Sequence, residues 1–261
     1  MTSLALANEA AGDIKITRIV HCRIPTRRSK LAGKNSRGGV HGDSSGDNLI
    51  RLFTNTGEQG FGHGRIQRKQ AESLIGKNPF DFVDQKAKRV SGPFGTDTMP
   101  LWDLAGKILG KSVHAMLGGN GTSNVPVYDG SIYFADLLPE YASKWKDRFH
   151  QEIDMGLEAG HTAFKVKVGR GAKWMERKAG DIRDIEVLRT VRKHAGPDIL
   201  IGIDANNGYD LAGSKKFIGE TGNLNIAFAE EMFHETHHLN RSMKTWLYSY
   251  RLDQGQESCF D

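Results

Sequence analysis

Cysteine is scarce in this chain. There are two, Cys22 and Cys259, far apart in sequence, so neither a disulfide scaffold nor a zinc knuckle is indicated and a reducing compartment suits the protein. Long apolar runs are missing too. Nothing approaches the roughly 20 consecutive apolar residues of a membrane-spanning helix. The opening MTSLALANEAAGDIK has no basic region ahead of an apolar stretch, as a signal peptide would. Lysine and arginine outnumber acidic residues 36 to 31, giving a net charge of +5 and a pI near 9.1. The excess sits partly in short clusters (Arg27-Arg28, Arg68-Lys69, residues 86–89). No long basic run or interleaved aromatics mark a nucleic-acid surface. The chain is expected to be cytoplasmic, with neither membrane nor nucleic acid as a partner.

What is present is the composition of a soluble globular protein, 38% hydrophobic and 26% charged. At 261 residues it can bury a sizeable core in one large domain or two smaller ones. The pattern divides near residue 120. Residues 14–24, IKITRIVHCRI, alternate as a strand does. Residues 27–48, rich in Gly, Ser and charge, predict a long mobile loop. LIRLFTN, a TGEQG turn and a short return strand predict a hairpin. In PLWDLAGKILGKSVHAMLGG, Leu101, Ala105, Ile108 and Leu109 recur at helical spacing, and Gly118-Gly119 predicts the stop. Residues 1–122 therefore read as an α+β domain.

Residues 123–261 alternate strand and helix: a strand over 125–134, a helix over 139–159 and the strand TAFKVKVG. A helix over 181–195, the strand ILIGIDAN, a helix over 211–220 and the strand NIAFAEE follow. This is the pattern of βαβ units on a parallel sheet, in which chemistry gathers at the C-terminal strand ends. Three successive strands carry charge there: Lys165 and Lys167, then Asp204 and Asn206, then Glu230 and Glu231. In FKVKVG, Phe164, Val166 and Val168 share one face and the lysines the other. Two inward ammonium groups would cost several kcal/mol each unless paired or used. In ILIGIDAN, Ile199, Ile201 and Ile203 face the helices and Asp204 the interior. Asp204 and Glu230 stand about one βα unit apart. Two such carboxylates repel unless they share a cation, and a hard ion such as Mg²⁺ suits all-oxygen ligands.

Each motif has an ordinary explanation when taken singly. A KxK can lie on a solvated strand face, Asp204 can form an Asx turn, Glu230-Glu231 can be a solvated pair, and WDLAGK can be a plain amphipathic helix. Their order and spacing, however, resemble the enolase superfamily, in its mandelate racemase/muconate-lactonizing enzyme branch. The resemblance rests on the KxK of FKVKVG, the DxN of IDANNGYD, AEEMF in place of the usual Glu-Glu-Pro, and WDLAGKILG with the later LGG. It implies an α/β fold, with an α+β capping domain followed by a (β/α) TIM-type barrel. It further implies Mg²⁺-dependent abstraction of the proton α to a carboxylate, as in sugar-acid dehydratases and in racemases or epimerases. Lys167 would be the base, and the neighbouring ammonium and metal would disfavour its charged form. Lys165 would lie against it and the substrate carboxylate. Asp204 and Glu230 would be metal ligands, and Asn206 would lie near an acid-sugar substrate. Residues 33–46 would be a lid.

The sequence also departs from the pattern. A full barrel needs eight strands, and about three or four fit after residue 125, so the barrel is expected to be incomplete and the chain truncated. Exposed sheet edges then predict a homo-oligomer. The family's third acidic ligand has one weak counterpart, Glu257, in a flank poor in β-branched residues. Other readings stay open. One is a non-catalytic remnant that binds an acidic ligand or partner. Another is a zinc peptidase using His234-Glu235-Thr236-His237-His238, which fits H-E-x-x-H with His234 and His238 as ligands and Glu235 as base.

Overall fold

The side-chain alternation of residues 14–24 is the start of a longer strand, β1 (Ile16–Ala32). It lies beside β2 (Gly42–Thr54), which pairs antiparallel with β3 (Gln59–His63) in the register Leu49↔His63 to Phe53↔Gln59. The structure, a computed structural model, describes residues 12–91, 97–121 and 124–234. Most of the expected loop over residues 27–48 is thus strand, and only the turn between β1 and β2 is irregular. The miss has a physical cause. Most side chains of β1 between Thr17 and Ser29 are exposed, so no apolar face imposes the period-2 signature by which strands are recognised.

The chain forms two units, one of Met1–Arg27 with Ser44–Asn124 and one of Arg28–Asp43 with Val125–Asp261. In the first, helix α1 (Arg68–Leu74) precedes a short hairpin of β4 (Val83–Asp84) and β5 (Arg89–Val90). Helices α2 (Met99–Leu109) and α3 (Val113–Met116) follow. Its core joins Ile16, Ile50 and Leu52 of the sheet to Leu74, Leu101 and Leu104 of the helices. One continuous helix was expected up to Gly118. Instead Gly110 adopts φ 62 and ends α2, and the Ser112 hydroxyl caps α3 by accepting from the Ala115 amide. Gly is the residue for a left-handed cap and Ser for an N-cap, so the pair makes a break.

The second unit contains four parallel strands in spatial order β6 (Asp129–Ile132), β7 (Ala163–Lys167), β8 (Leu200–Asp204) and β9 (Ile226–Glu230). Helices α4 (Trp145–Glu158), α5 (Arg177–Ala195) and α6 (Leu211–Thr221) connect them. Strand β6 is shorter than the expected 125–134, since Val125 and Val127 are exposed. Helix α4 begins at Trp145, later than expected, after two short 3₁₀ turns. The predicted parity holds: Phe164, Val166, Ile201 and Ile203 enter a core with Phe149, Ile153, Leu188 and Val191. Among the described residues no helix is long and apolar enough to cross a membrane.

A buried glycine of α5 yields a stability prediction. A Cβ on Gly180 would collide with the backbone of Gly171, within van der Waals contact of the Arg170 carbonyl carbon. Backbone cannot swing aside as a side chain can. Gly180→Ala is therefore expected to destabilise the unit by about 1–3 kcal/mol, despite alanine's better helix propensity. Chemical denaturation monitored by far-ultraviolet circular dichroism checks the sign; a stabilised variant would contradict the close approach.

Candidate active site

The parallel register places Lys165 opposite Gly202, Lys167 opposite Asp204, and Asp204 opposite Glu230. Because neighbouring parallel strands are about 4.8 Å apart, side chains in register on one face must meet. They do. Lys167 Nζ lies 2.5 Å from Asp204 Oδ2 and 2.8 Å from Asn206 Oδ1. Lys165 Nζ lies 3.1 Å from the same Asp204 oxygen and 2.8 Å from Glu230 Oε2. The two lysines, Asp204, Asn206 and Glu230 thus form one cluster at the C-terminal ends of β7, β8 and β9. Lys167 is 6% and Asp204 1% exposed, so these contacts form in a medium where charge interactions are strong.

Electrostatics follow from that geometry. Burial alone would lower the Lys165 pKa, but hydrogen bonds and charge from Glu230 and Asp204 outweigh it and hold the value above the usual lysine range. Burial would raise Asp204. The Lys167 ammonium, the Asn206 amide and Lys165 together pull it below the usual carboxylate range instead.

Three further side chains join the site: two tyrosines that the sequence did not single out, and Glu231, which it placed at the strand end without a role. The Lys165 ammonium stands 5.5 Å from the ring centroid of Tyr128, and that of Lys167 stands 5.4 Å from Tyr133. These are within cation–π range. Glu231 accepts a hydrogen bond from Asn206 Nδ2 at 3.0 Å. In an extended strand Glu230 and Glu231 would face opposite ways, but Glu231 takes φ 43 and Asn206 φ 42. These left-handed turns bring both side chains back to the cluster. A non-glycine residue at positive φ is uncommon, and such strain concentrates at functional sites. Nothing in the local sequence around the two tyrosines could have signalled their role. The EE dipeptide was visible, its reversal of direction was not.

The turn between β1 and β2 borders this cluster within the same unit. Buried Ser36 donates to the carbonyls of Ala205 at 2.5 Å and Asn206 at 3.3 Å. The Trp174 indole donates to the Asn35 carbonyl at 2.7 Å. His41 packs edge-on against Tyr133 with ring centroids 4.8 Å apart.

The donor chemistry suits a hard divalent cation. Asp204 and Glu230 already converge on one cation, the Lys165 ammonium. Mg²⁺ is commonly held by one or two carboxylates with the remaining positions left to water and substrate. No group of three or more His, Cys, Asp or Glu suited to a metal occurs among the described residues. His234 is exposed; Glu235, His237, His238 and Glu257 lie outside the described residues.

Comparison with known proteins bears on this arrangement. Residues 148–245 match the family model described as Enolase C-terminal domain-like. A galacturonate dehydratase variant from Geobacillus sp., solved in complex with Mg, is 31% identical with a TM-score of 0.80, covering 94% of this chain and 64% of that one. The chain is similar to the mandelate racemase/muconate-lactonizing enzyme family of the enolase superfamily. Its α/β fold is similar to that of these proteins, with an antiparallel sheet and helices in the first unit and a TIM-barrel-like parallel sheet in the second. The same Geobacillus dehydratase has been solved with D-galacturonate and 5-keto-4-deoxy-D-galacturonate, at 32% identity and a TM-score of 0.77. Among curated relatives, an arabinonate dehydratase from Saccharolobus solfataricus is 32% identical over 142 residues, 54% of this chain and 34% of that protein. An L-Ala-D/L-Glu epimerase from Clostridium acetobutylicum is 24% identical over 242 residues, 84% of this chain and 61% of that protein. The chain therefore spans from about a third to just under two thirds of the length of these relatives.

Proposed function

We propose that the cluster abstracts the proton α to the carboxylate of an acid sugar, in a Mg²⁺-dependent reaction that leads to dehydration. The observation that carries the reading is the meeting of Lys167, Lys165, Asp204 and Glu230 at adjacent strand ends. Lys167 takes the α-proton on Nζ, acting as a free amine, and its position between Asp204 and Asn206 fixes the direction from which it approaches carbon. Lys165 presents an ammonium to the substrate carboxylate. Asn206, held by Glu231, supplies an amide near the substrate hydroxyls. Asp204 and Glu230 would hold Mg²⁺, which when bound neutralises the charge that develops on the carboxylate as the proton leaves. The dehydratases of galacturonate and arabinonate among the relatives favour dehydration over epimerisation.

A second reading is favoured by the ion pairs themselves. A site whose lysines are already satisfied by carboxylates can bind an acidic ligand without turning it over. One experiment separates the two: proton NMR of α-hydrogen exchange in D₂O across a panel of sugar acids, with and without Mg²⁺. The enzyme reading expects Mg²⁺-dependent loss of one α-proton signal. No exchange for any acid, with saturable ligand binding retained, would replace it by the binding reading.

A further inference from the structure

The most deeply buried charge in the second unit is not in the cluster described above. Arg170 is 0% exposed, and no sequence motif marks it. Its guanidinium grips Asp136 through two bonds, Nε to Oδ2 at 2.9 Å and Nη2 to Oδ1 at 2.7 Å. Its third nitrogen, Nη1, reaches Asp184 Oδ1 at 2.5 Å. The other oxygen of Asp184 accepts from the Gly169 amide at 2.7 Å, the Arg170 amide at 3.2 Å and the Tyr209 hydroxyl at 2.6 Å. The Tyr209 amide donates in turn to the Met232 carbonyl at 3.0 Å. The Phe134 ring lies against the guanidinium, 4.2 Å from centroid to Cζ.

The placement of these groups along the chain is what matters. Asp136 lies in the loop after β6, Gly169 and Arg170 in the loop after β7, Tyr209 in the loop after β8, and Met232 just after β9. Tyr133, Lys167, Asn206 and Glu231 hang from the same four segments. One buried network therefore ties together every strand end that contributes to the cluster. A packed apolar side chain would stabilise such a place as well as an ion pair does, and often better. What leucine cannot do is fix directions. A guanidinium fork can, because its bonds are planar and bidentate.

We infer that Arg170, with Asp136 and Asp184, is a positioning residue that sets Lys167 and Asn206 at their mutual distance for proton abstraction. The inference rests on the proposed reaction, and it also makes a claim independent of activity: the loops after β6, β7 and β8 open together or not at all. Arg170→Lys keeps the charge and removes the fork. Phe149→Leu, which removes apolar volume from the same core and leaves every bond of the network in place, serves as a control for simple loss of stability. Amide hydrogen exchange on the full chain should show protection at Gly169, Ala205 and Tyr209 falling together by about tenfold or more in Arg170→Lys, with Phe149→Leu leaving them in step with the rest of the unit. With a substrate that wild type exchanges, Arg170→Lys should lose about 100-fold in kcat, the scale of a 1 Å misplacement, with KM within about threefold.

If Arg170→Lys does not fold, Tyr209→Phe removes a single bond to Asp184 and should lower protection at Gly169 and Ala205 alike. Independent responses of the loops, or kcat within threefold of wild type in folded Arg170→Lys, would overturn the inference. A wild-type chain that exchanges no substrate would instead count against the proposed reaction. The hydrogen-exchange result would then decide the positioning claim alone.

Discussion

Lys167→Met is expected to reduce α-proton exchange by about 10²–10⁴-fold, the contribution of a positioned general base, while the chain still folds. Both halves follow from the ion pairs. Methionine matches lysine's length and fills the same space beside Tyr133 without a proton acceptor. Asp204 is not left uncompensated, because Lys165 Nζ stays 3.1 Å from the same oxygen. The fold should thus tolerate the change at a cost well below that of stranding a buried charge. Lys165→Met makes the contrast. It removes the ammonium offered to the substrate carboxylate but leaves the base, so KM should rise more than kcat falls. Both variants are read by the same NMR exchange assay, alongside thermal unfolding. Persistent exchange at the wild-type rate in Lys167→Met would remove that residue from the role of base.

The parts of the molecule that could be read from sequence are those where one face is buried. Phe164, Val166, Ile201 and Ile203 alternate with charged or small residues because β7 and β8 pack on helices from one side, and that alternation makes the lysines and Asp204 legible in the sequence. Strand β1 carries the opposite lesson. Its side chains are mostly solvated, so Gly, Ser and charge in the ribbon look like a loop. Gly110 and Ser112 are a recognisable stop and start, but the apolar spacing of Leu101 to Leu109 runs straight up to them and hides the break. Tyr128, Tyr133 and Glu231 reach the cluster through irregular backbone, which has no period to read. Arg170, Asp136 and Asp184 are charged residues that sequence alone assigns to solvent; only their mutual pairing makes their burial tolerable, and pairing over such separations is a property of the fold.

Asp204→Asn should have the larger effect on stability and should also abolish Mg²⁺ binding. The substitution keeps shape and removes one charge, yet that charge faces two ammonium groups, at 2.5 and 3.1 Å. In the variant, Lys165 retains the Glu230 carboxylate, whereas Lys167 retains the neutral Asn206 carbonyl oxygen and the Tyr133 ring. Removing one partner of a buried pair costs about 3–5 kcal/mol, which for a chain of this size lowers the unfolding midpoint by roughly 10 °C. The pH dependence carries a definite sign. Asp204 is held below the usual carboxylate range, so it stabilises the fold above the unfolded-state value, and that stabilisation is lost as pH falls through the depressed one. Wild type and Asp204→Asn should therefore differ most near neutrality and converge in acid. Glu230→Gln is the counterpart. Its side chain is 42% exposed and pairs with Lys165 among the described residues, so the stability change should stay within about 1 kcal/mol while Mg²⁺ affinity, measured by titration calorimetry, still falls. Equal midpoints for wild type and Asp204→Asn across that pH range would show that Asp204 does not carry the lysines' compensation. Unchanged Mg²⁺ binding in both variants would move the metal away from the tips of β8 and β9.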